Sequence, residues 1–417
     1  ELFPGVSLRG ITTGRFKSAC LSCSFLRPLC RSEAAKNALL ANVLIQGTDV
    51  HPDLQSISQA LDGLYGASLG PLVRKNGEIQ TWGFYLSFLE DRFALEGDRV
   101  LEPMTELLGE VLLRPRLVGG ALDPDYVERE KENLISTIET SLNDKRVYAG
   151  QQMLRAMCRD DGFGVPRLGE PEDVAAIDPA GLLTHYRKIL RESRIEIFYV
   201  GSAPAEAVAE YISPLVSRLG GREGLLPPQT PFHPCPGQDV TETMEVSQGK
   251  LCMGFVTPIV NRDKEFPAMQ VFNTVFGAGM TSKLFLNVRE KQSLCYSVSS
   301  GYYGAKGILT VAAGIDSASR EQTQEEILRQ LEDCAAGEIT AQELGDAQQA
   351  MRSALQALHD SPGAIENYYA TAALSGRNLT PAQYLQQVNR VEVADLVRMA
   401  QSVKLHSSFF LTEGGTQ

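Results

Sequence analysis

Residues 276–298 read Phe276-Gly277-Ala278-Gly279-Met280-Thr281-Ser282-Lys283-Leu284-Phe285-Leu286-Asn287-Val288-Arg289-Glu290-Lys291-Gln292-Ser293-Leu294-Cys295-Tyr296-Ser297-Val298. The glycines allow the backbone to approach its neighbours closely. Their structural reading is a turn before the helix that follows. A short helix is expected over about 282–290, then a hairpin with arms at 295–303 and 307–314. Working outward, a strand is expected around 241–256 and a helix over 265–276. Downstream, helices are expected over 320–336 and 340–358, and a last strand over 407–411.

The same order occurs earlier in the chain. Lys17, Ala19, Leu21, Cys23 and Phe25 alternate with Ser18, Cys20, Ser22 and Ser24, which predicts a strand over 15–26. Helices are expected over 33–46 and 52–65. Asn76-Gly77 between alternating runs predicts a hairpin with arms at 67–75 and 78–89. Helical patterns cover 98–113 and 124–159, then a strand at 194–200 and a helix at 204–219. The Gly/Pro-rich stretch from Gly220 to Pro234 is the expected boundary. The reading is an internal duplication: a domain over 1–220, a linker over 221–240 and a domain over 241–417. Helix pairs between antiparallel hairpins indicate α+β layers, two tandem homologous α/β sandwiches, rather than a doubly wound sheet.

Composition narrows the function. The 417 residues are 43% hydrophobic and 22% charged, with a formal net charge of -12, which are globular values. An acidic chain lacks the basic field that phosphates require, so nucleic acid is not an expected partner. No apolar run is long enough to cross a bilayer, and the start at Glu1-Leu2-Phe3 has no signal-peptide pattern. Eight scattered cysteines read as reduced thiols in a cytoplasmic protein. Cys20 and Cys23 sit three apart on a strand, on opposite faces, and so read as core residues rather than metal ligands.

The segment Asn37-Ala38-Leu39-Leu40-Ala41-Asn42-Val43-Leu44-Ile45-Gln46-Gly47-Thr48 resembles the H-x-x-E-H-M-L-F-x-G-T stretch of the M16 (pitrilysin/insulinase) zinc peptidases. Two His one helical turn apart can grip zinc, and the Glu between them activates a zinc-bound water. In this frame the two His positions hold Ala38 and Asn42, and the Glu position holds Ala41. A later family stretch, E-R-E-R-x-V-I-L-x-E, resembles Glu128-Arg129-Glu130-Lys131-Glu132-Asn133-Leu134-Ile135-Ser136-Thr137, where Thr137 occupies the third ligand position. Glu130 matches the family's supporting acid. Glu139 lies two residues on, toward another helix face. No two of the five His form an H-x-x-E-H motif. Residues 276–298 resemble the family's C-terminal stretch G-x-G-M-S-S-R-L-F-x-x-V-R-E-x-x-G-L-A-Y-S-V.

The resemblance covers nearly the whole chain and implies the M16 (LuxS/MPP-like) sandwich fold in each half. It implies that Arg289 and Tyr296, with Gly277 and Gly279, contact a substrate peptide, and that zinc is not held. The reading is a non-catalytic, peptide-binding subunit paired with a zinc-bearing M16 paralogue, with a homodimer as the other arrangement. Reinstating His at Ala38 and Asn42 and Glu at Ala41 and Thr137 is expected to restore zinc binding if the backbone there is helical. Leu64-Tyr65-Gly66-Ala67 resembles the YfmF-like bacterial branch, which is associated with elongation factor P modification. A scaffold protein with this fold and a metallopeptidase with a rebuilt zinc site are the alternatives. Arg289 and Tyr296 also have a plain structural reading, as an ion pair and a core tyrosine. Glu128, Glu130 and Glu132 read as a solvated helix face, His51 as a cap or surface residue, and Trp82 as packing.

Overall fold

The computed structural model describes residues 1–219 and 231–414, so the first half of the expected linker, 221–230, lies outside the described residues. The chain forms two compact units. Unit 1 takes in Glu1–Glu139, Val165–Pro228 and Leu358–Thr371, and unit 2 takes in Thr140–Gly164, Gln229–Ala357 and Ala372–Gln417. Each unit therefore includes one segment from the other half of the sequence.

Unit 1 is built from β1 (Val6–Thr12), β2 (Ser18–Pro28), α1 (Arg31–Leu44), α2 (Leu54–Gly63), β3 (Ser68–Asn76), β4 (Ile79–Leu89), α3 (Leu101–Leu113), the small hairpin β5 (Leu117–Val118) and β6 (Ala121–Leu122), and α4 (Pro124–Asn143). After α5 (Lys145–Met157), which belongs to unit 2, it continues with α6 (Pro171–Ala175), α7 (Pro179–Glu192), β7 (Arg194–Gly201) and α8 (Ala205–Leu219). Unit 2 holds β8 (Asp239–Met244), β9 (Gly249–Val256), α9 (Phe266–Phe276), a π-helix (Leu284–Lys291), β10 (Ser297–Tyr303), β11 (Ile308–Ile315), α10 (Arg320–Ala336) and α11 (Ala341–Ala357). α12 (Pro362–Leu374) starts in unit 1, and α13 (Pro381–Val388), α14 (Val393–Ser402) and β12 (Lys404–Glu413) complete unit 2.

The two sheets share one topology. The first runs β1-β7-β2-β4-β3, and the second, from its other edge, β8-β12-β9-β11-β10. In each, only the outermost pair, β1 with β7 and β8 with β12, is parallel. The repeat read from the order of elements is thus present strand for strand. The Asn76-Gly77 turn forms as expected, with Gly77 at φ 56°.

Period-two alternation explains the layers. In unit 2, Leu251, Met253 and Phe255 point into a core with α9, α10 and α14, while Cys252, Phe409 and Leu411 meet Met153 and Met157 of α5 on the other face. A Cβ on Gly254 would lie 2.6 Å from the Met153 sulfur, so glycine lets α5 lie close. In unit 1, Cys20 and Val200 on the corresponding face meet Ile365 of α12. There the buried Glu366 accepts from Ser22 Oγ at 2.7 Å and from both Arg74 terminal nitrogens at 3.0 and 2.7 Å.

Some expected elements differ. The strand expected over 241–256 is two strands parted by a turn, because β8 pairs only with β12 whereas β9 pairs with both β12 and β11. The helical run over 124–159 is two helices. Asp144 interrupts it by accepting from the Arg146 and Val147 amides, capping α5. No helix of the described residues is long and apolar enough to cross a membrane.

Candidate functional site

The motif positions of unit 1 lie on α1, which is helical throughout them. Ala38 and Ala41 are wholly buried. Asn42 is half-buried, and its Nδ2 donates to the Ala38 carbonyl at 3.2 Å, so the amide folds back on its own helix. Gln46, just beyond α1, donates to the Asn42 carbonyl at 3.3 Å and accepts from Arg129 at 2.8 Å, which ties α4 to the end of α1. Thr137 is exposed, and its hydroxyl donates to the Asn133 carbonyl at 2.8 Å.

These positions do not fit a zinc ion. Zinc takes lone pairs from imidazole, carboxylate or thiolate. The two alanines have none to give, and a neutral amide at Asn42 and a neutral hydroxyl at Thr137 are not among those ligands. Glu130 corrects the expectation of a solvated acidic face: it is buried and accepts from Asn133 Nδ2 at 3.1 Å. Glu128, Glu132 and Glu139 are exposed, with Lys131 3.0 Å from Glu128.

A polar network holds α1 in place. Asn37, next to Ala38, donates through Nδ2 to Gln80 Oε1 at 2.9 Å, so its Oδ1 is the acceptor for His185 Nε2 at 2.7 Å. Gln80 donates onward to the Ala34 and Arg167 carbonyls. His185 is buried, and that burial pulls its pKa down to about 4, helped by Lys36, Lys188 and Arg27 against the opposing charge of Glu33. Burial would raise the Glu33 carboxyl, but bonds from Arg27 and Lys188 outweigh it and hold it at about 2. His51, expected as a cap or surface residue, is paired through Nδ1 with Glu110 at 2.8 Å; Asp53 caps α2 instead. Trp82 is packing, stacked on Phe25 with ring centroids 4.6 Å apart.

Unit 2 carries the other candidate residues. Gly277 ends α9; its carbonyl accepts from the Ser300 amide at 2.9 Å, and a Cβ there would lie 2.7 Å from Ser300 Oγ. Gly279 faces open space. The helix expected over 282–290 is a π-helix, a wound form common at functional sites. It places Arg289 with its guanidinium 4.7 Å from the Phe285 ring centre and 3.6 Å from Glu290. The turn leaving it puts Ser293 at φ 54°, a left-handed conformation, where the family stretch has Gly. Tyr296 is 55% exposed, so it is not a core tyrosine, and its hydroxyl donates to Asp316 Oδ1 at 3.0 Å. That bond raises the phenol's pKa. Met280 and Leu286 are also exposed. Ser293 was legible as a departure from the family glycine, whereas Asp316 carries no motif.

Comparison with known proteins bears on both units. Residues 176–351 match the Peptidase M16 inactive domain. "Probable inactive metalloprotease YmfF" of Bacillus subtilis is 28% identical over 414 residues, 99% of this chain and 97% of that protein. The chain is an M16 peptidase homologue. "Uncharacterized zinc protease YmxG" of the same organism is 24% identical over 66% of this chain and 67% of its own length. Among solved structures, a conserved protein from Enterococcus faecalis V583 superposes with a TM-score of 0.91 at 28% identity, covering 100% of this chain and 98% of its own. A peptidase M16 inactive domain from Pseudomonas fluorescens shares the fold at a TM-score of 0.81 and 19% identity, over 99% and 97% of the two chains.

Proposed function

We propose that this M16 homologue is the non-catalytic, peptide-holding subunit of a heterodimer with a zinc-bearing M16 paralogue. One contrast carries the reading. The metal-gripping positions hold Ala38, Ala41, Asn42 and Thr137, while Arg289 and Tyr296 remain at the surface with hydrogen-bonding capacity. A chain serving only as a scaffold has no use for the second set. Arg offers a planar fork of donors for peptide carbonyls, and Leu286, exposed on the same helix, offers apolar surface. In this reading the chain breaks no bond. It holds an extended or unfolded polypeptide segment, and the partner supplies the zinc-activated water. The net charge of -12 favours basic segments. In this reading the pair works in the cytoplasm, where scattered cysteines stay reduced.

Co-purification from the native cell with mass spectrometry tests this. The expected result is a second M16 chain with an intact H-x-x-E-H in about equal amount. Recovery of this chain alone, or only with itself, overturns the heterodimer.

A further inference from the structure

The bond between Tyr296 and Asp316 has a consequence for what the peptide must offer. An ionised carboxylate only accepts, so the phenol hydrogen lies on the Asp316 side. The Asp316 side chain makes no capping bond to the turn Ser317–Ser319 that follows it. The outward side of the Tyr296 oxygen is therefore lone pairs, backed by a negative charge. Arg289, seven residues earlier, has only donors. The two motif residues thus have opposite polarities: one gives hydrogens and the other takes them.

Resting on the peptide-holding reading of unit 2, we propose that Asp316 is a specificity-determining residue. It fixes Tyr296 as an acceptor and selects peptides that present a cationic group, a Lys or Arg side chain or a free amino terminus, to the Tyr296–Asp316 pair. Arg289 takes a carbonyl or carboxylate of the same peptide. An acidic chain reinforces this choice. Without Asp316 the Tyr296 hydroxyl is free to turn and donate to a carbonyl, so the same phenol would serve a neutral peptide equally well.

The test uses the full chain and two fluorescein-labelled extended peptides, identical except for a central Lys in one and norleucine in the other. Fluorescence anisotropy reads their affinities. The Lys peptide is expected to bind more tightly, by roughly threefold for a solvent-exposed charge pair, and less so as salt is raised. Asp316→Asn keeps the size but removes the negative charge behind the Tyr296 oxygen, and is expected to abolish the preference while sparing the norleucine peptide. Tyr296→Phe is expected to reduce the preference, and Arg289→Ala to weaken both peptides. Equal binding of the two peptides, or a Lys preference untouched by Asp316→Asn, overturns this inference and leaves the peptide-holding reading in place if Arg289→Ala still weakens both. Binding of neither peptide overturns that reading and this inference together.

Discussion

His185 makes the stability of unit 1 depend on pH in a defined direction. Buried and bonded to Asn37 as a neutral imidazole, it has a pKa of about 4, against an ordinary value of 6.5. Below pH 6.5 the unfolded chain takes up a proton that the folded chain refuses until about pH 4. The unfolded state then binds more protons, so stability falls as pH falls through that window. At about 1.4 kcal/mol per pH unit, the full loss approaches ~3 kcal/mol. Glu33 adds its own loss only below its ordinary value of 4.5, since its folded pKa is about 2. Between pH 6.5 and 4.5 the His185 contribution is therefore separable. Trp82 is the single tryptophan, wholly buried in unit 1, so its fluorescence follows this unit during urea unfolding. His185→Gln keeps an N–H for Asn37 without a titrating ring. It is expected to cost about 1 kcal/mol at pH 7 and to lose most of the slope between pH 6.5 and 4.5. A flat wild-type profile across that window, or an equal slope in His185→Gln, refutes the reasoning.

Ser293→Gly removes a side chain from a left-handed residue and should stabilise unit 2 by about 0.5 to 1 kcal/mol; thermal unfolding reads the gain. Lys306 and Asp161 form an ion pair at 2.5 Å with both side chains buried, so Lys306→Met should cost about 3 to 5 kcal/mol by leaving a buried charge. Adding Asp161→Asn should recover much of that loss in urea unfolding, because the bond from the Phe163 amide survives. Reinstating the motif with Ala38→His, Ala41→Glu, Asn42→His and Thr137→Glu should give a chain whose melting temperature rises on addition of zinc. In the zinc-free form the two buried alanine sites should each cost about 1 to 3 kcal/mol through overpacking.

Local pattern carried the elements whose signal lies within a few residues: the Asn76-Gly77 hairpin, the alternation of β2, the π-helical stretch with its motif, and the repeated order of the two halves. What escaped depends on distant partners. β1 has one buried residue, Val6, and is held as a parallel partner of β7 nearly two hundred positions later. α12 buries Glu366 because Arg74, 292 residues earlier, meets it, and no periodicity announces that. The helices α6, α7, α13 and α14 likewise lie outside the elements that local pattern predicts. At the site, the loss of metal-gripping side chains was legible in the motif frame, because lone pairs are a property of residue type. The burial of Glu130 and the pairing of Tyr296 with Asp316 were not, since both depend on how neighbouring segments fold against them.

The central claim is that this M16 homologue has given up zinc and kept its peptide-holding residues. The most direct test is elemental analysis of the purified full chain after incubation with zinc and gel filtration. The account predicts no zinc above the buffer background. One equivalent of zinc per chain would contradict it and would mean that ligands other than those at positions 38, 42 and 137 have rebuilt a metal site.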